Sequence, residues 1–482
     1  MRRHRRHRQL EIVGTIVVAC LGCRTASGAP TAKPVPVKDD RPALQLAIAE
    51  AAKSGSEVKL EARTYTLSPS SDGFWSLDIP AGVHLHGAGT GKTILRLAAH
   101  AGPSVRLLHV SGANVVIENL TLDGNKSQQT KDAQRHGVFA ENTTNLSIHD
   151  VVAQNFSGDG IYLFNGVKQT NITDVSSLTN DRNGITLGAN VDGTTLLRDR
   201  FIGSKAQQVD SEPGGTGVVS HTVVRDCVLD GNGHSNDYVL TVSGTGEAQG
   251  HDWTVVDNTI NGAIFVVWAD NVVIEYNRIA NSTTKSAVTI YRSSSKVNVV
   301  ANRIKQTQRT ESSLAAISVT GTGVGQAPSE IVLSANELTV GYEKAFGIRA
   351  EGATDVSIVN NQLQGAGKDS PLFAGIYLRA TSDKQPFRTA VVRGNSIKDF
   401  GDRGVSIHGN GEAKLLSLDI TDNRFDNDVP AAPMRTAISL DDGNGAAQSI
   451  TLRGNVTAKS VPSSVINRPA KGSIVEDAPK AP

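Results

Sequence analysis

The sequence predicts an all-β chain: a right-handed parallel β-helix solenoid of about twelve coils behind one short N-terminal capping helix. Three observations predict it. Short apolar alternations recur at intervals of about 24 to 33 residues. One asparagine recurs with each interval, and the 482 residues include 47 Gly but only 4% aromatics. With 38% apolar and 20% charged residues the chain can bury a long core and is not of disordered composition.

The first 28 residues read as an export address. Met1 to Arg8 is basic, Ile12 to Cys20 is apolar, and Ala26-Ser27-Gly28 supplies small residues for cleavage. Leu21-Gly22-Cys23 resembles the lipobox of bacterial lipoproteins, so a lipid anchor on Cys23 and simple secretion are both open. The expected location is secreted, periplasmic or outer-surface, with no transmembrane segment, since no apolar run is long enough. Six of the 48 basic residues and one of the 47 acids precede residue 29, leaving 42 basic and 46 acidic residues. That mildly acidic body has no electrostatic footprint for nucleic acid.

Residues 29–38 alternate Pro with small residues and Lys, as a solvated linker does. Residues 39–104 form the cap and first coils, 105–458 the coils proper, and 459–482 a C-terminal tail. Leu44, Ile48, Ala51 and Ala52 recur at helical spacing behind an Asp39-Asp40 cap and Pro42. Beyond them, Asp159-Gly160-Ile161, Asn183-Gly184-Ile185 and Gln207-Gln208-Val209 open successive rungs, and later rungs continue from Ala263 to Ala437. Asn258, Asn277, Asn302, Asn336, Asn361, Asn395, Asn423 and Asn455 supply one asparagine per turn, expected at the bend where Asn tolerates a left-handed backbone. A β-propeller needs repeated aromatics per blade and leucine-rich repeats need a Leu consensus, and both patterns are absent. Cys227 is the one cysteine outside the address, which excludes a disulfide framework or a cysteine zinc cluster.

Val58 to Leu60, Tyr65 to Leu67, Gly82 to Leu85 and Gly87-Ala88-Gly89 before Thr93 to Leu95 resemble the N-terminal cap and first coils of pectate-lyase-like proteins, the pectin lyase fold superfamily. The rungs extend the likeness to about Val456. The resemblance implies a fold shared by polysaccharide lyases, glycoside hydrolases, uronate epimerases, tailspikes and non-catalytic surface proteins.

Taking Ile161 and Leu163 as inward turns Tyr162 and Phe164 outward, and carrying that phase from rung to rung yields columns. One holds Phe139, Tyr162, Thr186, Asp210, Thr241, Phe265 and Thr289; the next holds Glu141, Phe164, Gly188, Glu212, Ser243, Val267 and Tyr291. His136, Asp159, Asn183, Gln207 and Tyr238 stand at the rung entrances. The candidate catalytic residues are Asp210, Glu212, Asp159, His136 and Arg182; the candidate substrate-binding residues are Tyr162, Tyr238, Glu141, Asn183 and Gln207. Acids for protons and hydroxyls, rings for stacking and a cation for a uronate suit sugar chemistry.

The expected partner is therefore an extracellular polysaccharide, and the expected chemistry is lyase β-elimination on a uronate. His136, Tyr162 or Tyr238 would move the proton and Arg182 would face the carboxylate. Inverting glycoside hydrolysis is the alternative, because Asp210 and Glu212 on one strand face would hold their carboxyl carbons roughly 6.5 to 7 Å apart. A non-catalytic carbohydrate-binding or adhesive protein is the other. The sequence fixes no cofactor, and Asp159, Asp210 and Glu212 offer an oxygen-only set for Ca²⁺, as calcium-dependent pectate lyases use.

Gly158-Asp159-Gly160-Ile161 resembles a polygalacturonase segment, but Arg182-Asn183 replaces that family's next Asp pair and Ala206-Gln207 its Gly-His-Gly. Arg303 to Lys305 matches its basic tripeptide, which the asparagine repeat already explains. The Asp-Pro-His-Glu/Asp signature of alginate epimerases is absent. Gly87 to Thr93 imitates a phosphate loop, yet the first required Gly is His86 and Ile94 to Leu97 continues as a strand. His4 and His7 lie in the export address and form no metal site.

Overall fold

The computed structural model describes residues 38–461, apart from 131–133, 234–237, 245–249, 308–313, 323–324, 343–344, 368–372, 381–386, 410–414, 430–433 and 442–446, together with 473–476. The export address, Cys20 and Cys23, and nearly all of the linker and the tail lie outside the described residues. Among the described residues no helix is long and apolar enough to cross a membrane.

The helix spans Arg41–Ser54, with Pro42 in its first turn and Gly55 closing it at φ 69°. Leu44, Ile48 and Ala51 are buried against the strands Glu57–Lys59, Thr64–Leu67 and Trp75–Ile79. Asp40 does not cap it with its side chain. That carboxylate instead accepts the Thr66 N–H at 3.1 Å and pairs with Arg63 at 3.0 Å, tying the helix to the first coils. Asp39 takes the capping role, accepting the Arg41 N–H at 3.1 Å.

After the helix the described residues are wound in about twelve turns of parallel β-structure, with one short 3-10 helix at Lys126–Gln128. One long face is a sheet of fourteen strands from Trp75–Ile79 to Thr436–Asp441, and the rest of each coil joins a sheet of 29 strands. The rungs stack in the expected register: Phe139 pairs Tyr162, Tyr162 pairs Thr186, Thr186 pairs Asp210, and Thr241 pairs Phe265. Val138, Ile161, Ile185, Val209, Leu240, Ile264, Val288, Ile317 and Ile348 form the matching inward column and are fully buried. Each such side chain stabilises by about 1.5–3 kcal/mol on leaving water. Ser473–Glu476 pairs with Ala447–Arg453 and so adds a strand where a tail was expected.

The asparagine column is a continuous buried hydrogen-bond ladder. Asn302 Nδ2 donates to Ile274 O at 2.8 Å and to Asn336 Oδ1 at 3.1 Å, its own N–H donates to Asn336 Oδ1, and its Oδ1 accepts from Asn277. The same pattern runs from Asn258 to Asn455. The left-handed backbone expected at these asparagines falls one residue earlier, at Asp257, Tyr276, Ala301, Ala335, Asn360 and Asp422, with Gly394 and Gly454 completing the set. The two tasks are separated because a side chain aimed inward along the ladder needs the bend before it, not at it.

Toward the N-terminus the ladder changes chemistry. Asn258 Oδ1 accepts the Cys227 N–H, Cys227 Sγ accepts the Asp199 N–H at 3.4 Å, and Asp199 Oδ1 accepts the Val175 N–H at 2.8 Å. Asp199 is buried, and among the described residues it has no ion-pair partner and its Oδ2 has no hydrogen bond. Burial pushes its carboxyl from 3.8 to about 8. Gly87 to Thr93 is a turn, with Gly89 and Gly91 at positive φ and Ile94–Leu97 a strand, as its sequence indicates.

Replacing Asn302 by Ala strands several buried donors and acceptors, and is expected to cost about 3 kcal/mol or more in urea unfolding. Asp199→Asn is expected to act through pH. Between about 4 and 8 the folded chain keeps a proton that the unfolded chain releases, so stability contributed at this position falls as pH rises through that window. The variant, whose amide carries no proton to lose, should be close to wild type at pH 4 and more stable at pH 8.5; equal pH slopes would contradict the assignment.

Candidate functional site

The candidate site lies on the fourteen-strand face where the rungs beginning at His136, Asp159, Asn183 and Gln207 stack. The backbone near the entrances is crowded: a Cβ on Gly160 would lie 2.8 Å from Asn180 Nδ2, and one on Gly184 2.5 Å from Gln208 O. Glycine at these positions lets the chain turn into the strand with its neighbours aimed at one another. This accounts for the repeated Gly-Ile pairs without invoking chemistry.

Asp159 is the hub and is completely buried. Its Oδ1 accepts the Asn183 N–H at 2.9 Å, and its Oδ2 accepts the Thr186 hydroxyl at 3.1 Å and Arg182 Nη1 at 3.2 Å. Burial raises this carboxyl, but His136, the Arg182 charge and the Asn183 N–H outweigh it and hold it below the ordinary value. Asn183 carries the network to the next rung. Its Nδ2 donates to Thr186 at 2.9 Å and to Asp210 Oδ2 at 3.1 Å, and its Oδ1 accepts the Gln207 N–H. Asp210, also buried, accepts the Thr241 hydroxyl.

Arg182 converts this buried network into an outward feature. Nη1 binds Asp159 and Gln134, and Nη2 binds Glu212 Oε1 at 2.6 Å. The Arg182 and Glu212 side chains are 28% and 37% exposed, so both reach solvent. Tyr162 leans over the same point. Gly188, in register with Glu212, makes room for it, since a Cβ there would lie 3.0 Å from the Tyr162 ring and 2.8 Å from that of Phe164. Burial first, then the Glu212 and Asp159 charges, push the Tyr162 phenol up to about 12.

Burial with the Glu212 charge raises the Asp210 carboxyl to about 8. The oxygen set proposed for Ca²⁺ does not fit a cation. Arg182 already lies between Asp159 and Glu212, while Thr186, Asn183 and Thr241 donate to the remaining oxygens of Asp159 and Asp210.

His136 is buried, and its Nδ1 accepts the Asp159 N–H at 3.0 Å. It supports Asp159 and packs edge-on against Tyr162 at 5.1 Å. Glu141 and Tyr238 stand apart from the charge cluster. Glu141 binds His109 Nε2 at 3.0 Å, and Tyr238 stacks on Phe265 at 4.6 Å.

Two features of this face were not singled out in the sequence. His109 is held between Asp78 at 2.9 Å and Glu141, with its ring stacked on Trp75 at 4.3 Å. The other lies further along. Arg349 binds Glu351 at 2.6 Å, Arg379 stands 3.8 Å from the same carboxylate, and Tyr377 packs on Phe346 and His408. Extending the two columns beyond Thr289 and Tyr291 reaches these residues, because Thr289, Ser318, Arg349 and Tyr377 are in register, as are Tyr291, Thr320, Glu351 and Arg379.

A sequence model described as "Right handed beta helix region" matches residues 265–457. The fold is a right-handed parallel β-helix. Among curated proteins, the mannuronan C5-epimerase AlgE3 of Azotobacter vinelandii is 31% identical over 185 residues, covering 30% of this chain and 10% of the relative. AlgE1 of the same organism is 29% identical over 188 residues, covering 31% of this chain and 13% of its own. The chain thus spans about a tenth of the length of the curated relatives it matches. Among solved β-helices, the A-module of the Azotobacter vinelandii mannuronan C-5 epimerase AlgE4 shows 18% identity and a TM-score of 0.40, covering 91% of this chain and 96% of that one. A tailspike mutant of E. coli bacteriophage HK620 in complex with a pentasaccharide shows 14% identity and a TM-score of 0.48, covering 90% and 76%.

Both His109 nitrogens face carboxylates. Burial lowers this imidazole, but Asp78 and Glu141 outweigh it and raise it above 6.5. Its contribution to stability is full below the unfolded value and lost as pH rises through the folded one. A proton NMR titration should show a His109 midpoint above 6.5; a midpoint at or below that value would contradict a charged ring between two acids.

Proposed function

We propose that the chain acts on a uronate-bearing polysaccharide laid along the fourteen-strand face, and that Arg182, Glu212 and Tyr162 handle the C5 proton. One observation carries this reading: Arg182 is shared between a buried acid that cannot leave and a half-exposed acid that can. A uronate carboxylate presents the same bidentate oxygens as Glu212 and can take its place on the guanidinium. Displaced, Glu212 becomes a free base beside the sugar.

β-Elimination then follows in balanced steps. Glu212 takes the C5 proton, the electron pair spreads into the carboxylate held by Arg182, the C4–O bond breaks, and Tyr162, which holds its proton to about 12, supplies one to the leaving oxygen. Asp159 and Asn183 act as positioning residues. The rings of Trp75 and Phe164, packed against His109 and Tyr162, supply stacking surface beside this point.

Epimerisation is the second reading, favoured by the names of the matched curated relatives. It shares proton removal and carboxylate stabilisation but returns a proton to C5 with no bond broken at C4. Export directed by the first 28 residues would bring this face to its polymer, and a lipid on Cys23 would keep the protein at a surface.

The test is incubation of the purified chain with a panel of polyuronates in D₂O. Ultraviolet absorbance from unsaturated ends identifies elimination, and deuterium at C5 of an intact polymer identifies epimerisation. Binding with neither product would reduce the protein to a carbohydrate-binding or adhesive module. Glu212→Gln is expected to lower turnover by about 100-fold or more with little change in melting temperature; full activity in that variant sinks the mechanism.

A further inference from the structure

On the larger sheet, away from the sugar-facing strands, four side chains from the first three coils turn their ligand atoms toward one point. The strand His84–His86 carries His84 and His86 on its outer face and buries Leu85 between them. Parallel stacking sets Glu57 beside His84 and Glu118 beside His86. Glu118 Oε1 lies 2.8 Å from His86 Nδ1 and touches His84 Nε2. Glu57 Oε1 lies 3.3 Å from His86 Nδ1 and 3.8 Å from His84 Nε2. All four ligand atoms fall within 4.8 Å of one another.

We propose that Glu57, His84, His86 and Glu118 bind a divalent cation of the zinc class, which clips the first three coils together. Tetrahedral zinc holds N and O ligands at about 2.0–2.2 Å, which puts neighbouring ligand atoms about 3.3–3.5 Å apart. The observed separations fall on both sides of that edge length, so small side-chain rotations suffice. Two imidazoles with two carboxylates select zinc over the oxygen-preferring calcium or magnesium.

The surrounding groups are arranged as a support for such a site. His149 Nε2 holds Glu118 Oε2 at 3.0 Å and is itself held by Asp150 at 3.1 Å, which leaves Glu118 Oε1 facing the two histidines. Lys59 draws Glu57 Oε2 at 3.2 Å and leaves Oε1 inward. The four ligand side chains are between 12% and 38% exposed, so an ion reaches them from solvent. Four protein ligands close the coordination sphere, which makes the site structural. Its place is where such a clip matters, at the first coils, whose opening strand Glu57–Lys59 pairs with His84–His86 on one side.

The experiment is a metal titration of the full-length chain without an affinity tag. One equivalent of Zn²⁺ should bind and raise the melting temperature, with a chelator reversing the shift. Co²⁺ should give visible absorption of tetrahedral intensity that Zn²⁺ displaces. His86→Ala and Glu118→Gln should abolish that absorption, and His149→Ala should weaken binding roughly 10–100-fold. Should His86→Ala fail to fold, the His149→Ala affinity decides. Failure to bind one equivalent, absorption that survives His86→Ala, unchanged affinity in His149→Ala, or a signal lost on replacing His4 and His7 would each overturn the site. None of these outcomes depends on the sugar chemistry of the other face.

Discussion

In-register stacking of parallel coils is the constraint on which the rest of this molecule depends. A one-residue slip in any rung would turn its aliphatic side chains to solvent and its polar ones to the core. Two columns oppose that slip. Val138, Ile161, Ile185 and their successors contribute non-directional burial, while the asparagines from Asn258 to Asn455 contribute direction, each bonding the next through donors and acceptors that are buried from Asn258 to Asn423. The ladder converts a repeated residue into a repeated geometry. Insertions between rungs therefore lengthen loops without disturbing the surface columns.

The candidate groove uses the same rigidity for a costlier purpose. Asp159 is a buried charge, and such a group is tolerated only when paired and fully hydrogen-bonded. Asn183, Thr186 and Arg182 meet that demand, and the arrangement orients Arg182 toward solvent. Asp210 follows the other course available to a buried acid and keeps its proton. Two buried carboxyls two rungs apart thus shift in opposite directions, Asp159 down through His136 and the Arg182 charge, Asp210 up through burial and the Glu212 charge. The histidine–glutamate cluster on the far sheet draws on the same stacking, which brings Glu57 and Glu118, sixty-one positions apart, to one pair of imidazoles.

Much of the surface was legible from letters alone, because a strand alternates strictly and parallel rungs repeat without offset. Tyr162, Thr186, Asp210 and Thr241 align in the structure as the alternation indicates. Depth was not legible. Whether Asp159 and His136 line a groove or lie beneath it depends on what packs over them, and the rung pattern is silent on that. Nor was the protonation of Asp210, which depends on its burial and on the Glu212 charge near it. The Arg349, Glu351, Tyr377 and Arg379 group was within reach of the same arithmetic, but loops of unequal length after Gln306 obscured where each rung begins.

The amino-acid sequence by itself determined the all-β class, the coil period, the inward and outward columns and the asparagine column, because each depends on periodicity, which is a property of the chain read in one dimension. The tertiary structure decided which acids are charged, that Arg182 reaches solvent, where the left-handed bends fall, and that two histidines and two glutamates meet on the far sheet. Those depend on burial and on distances between side chains from different coils, and both exist only after the coils have stacked.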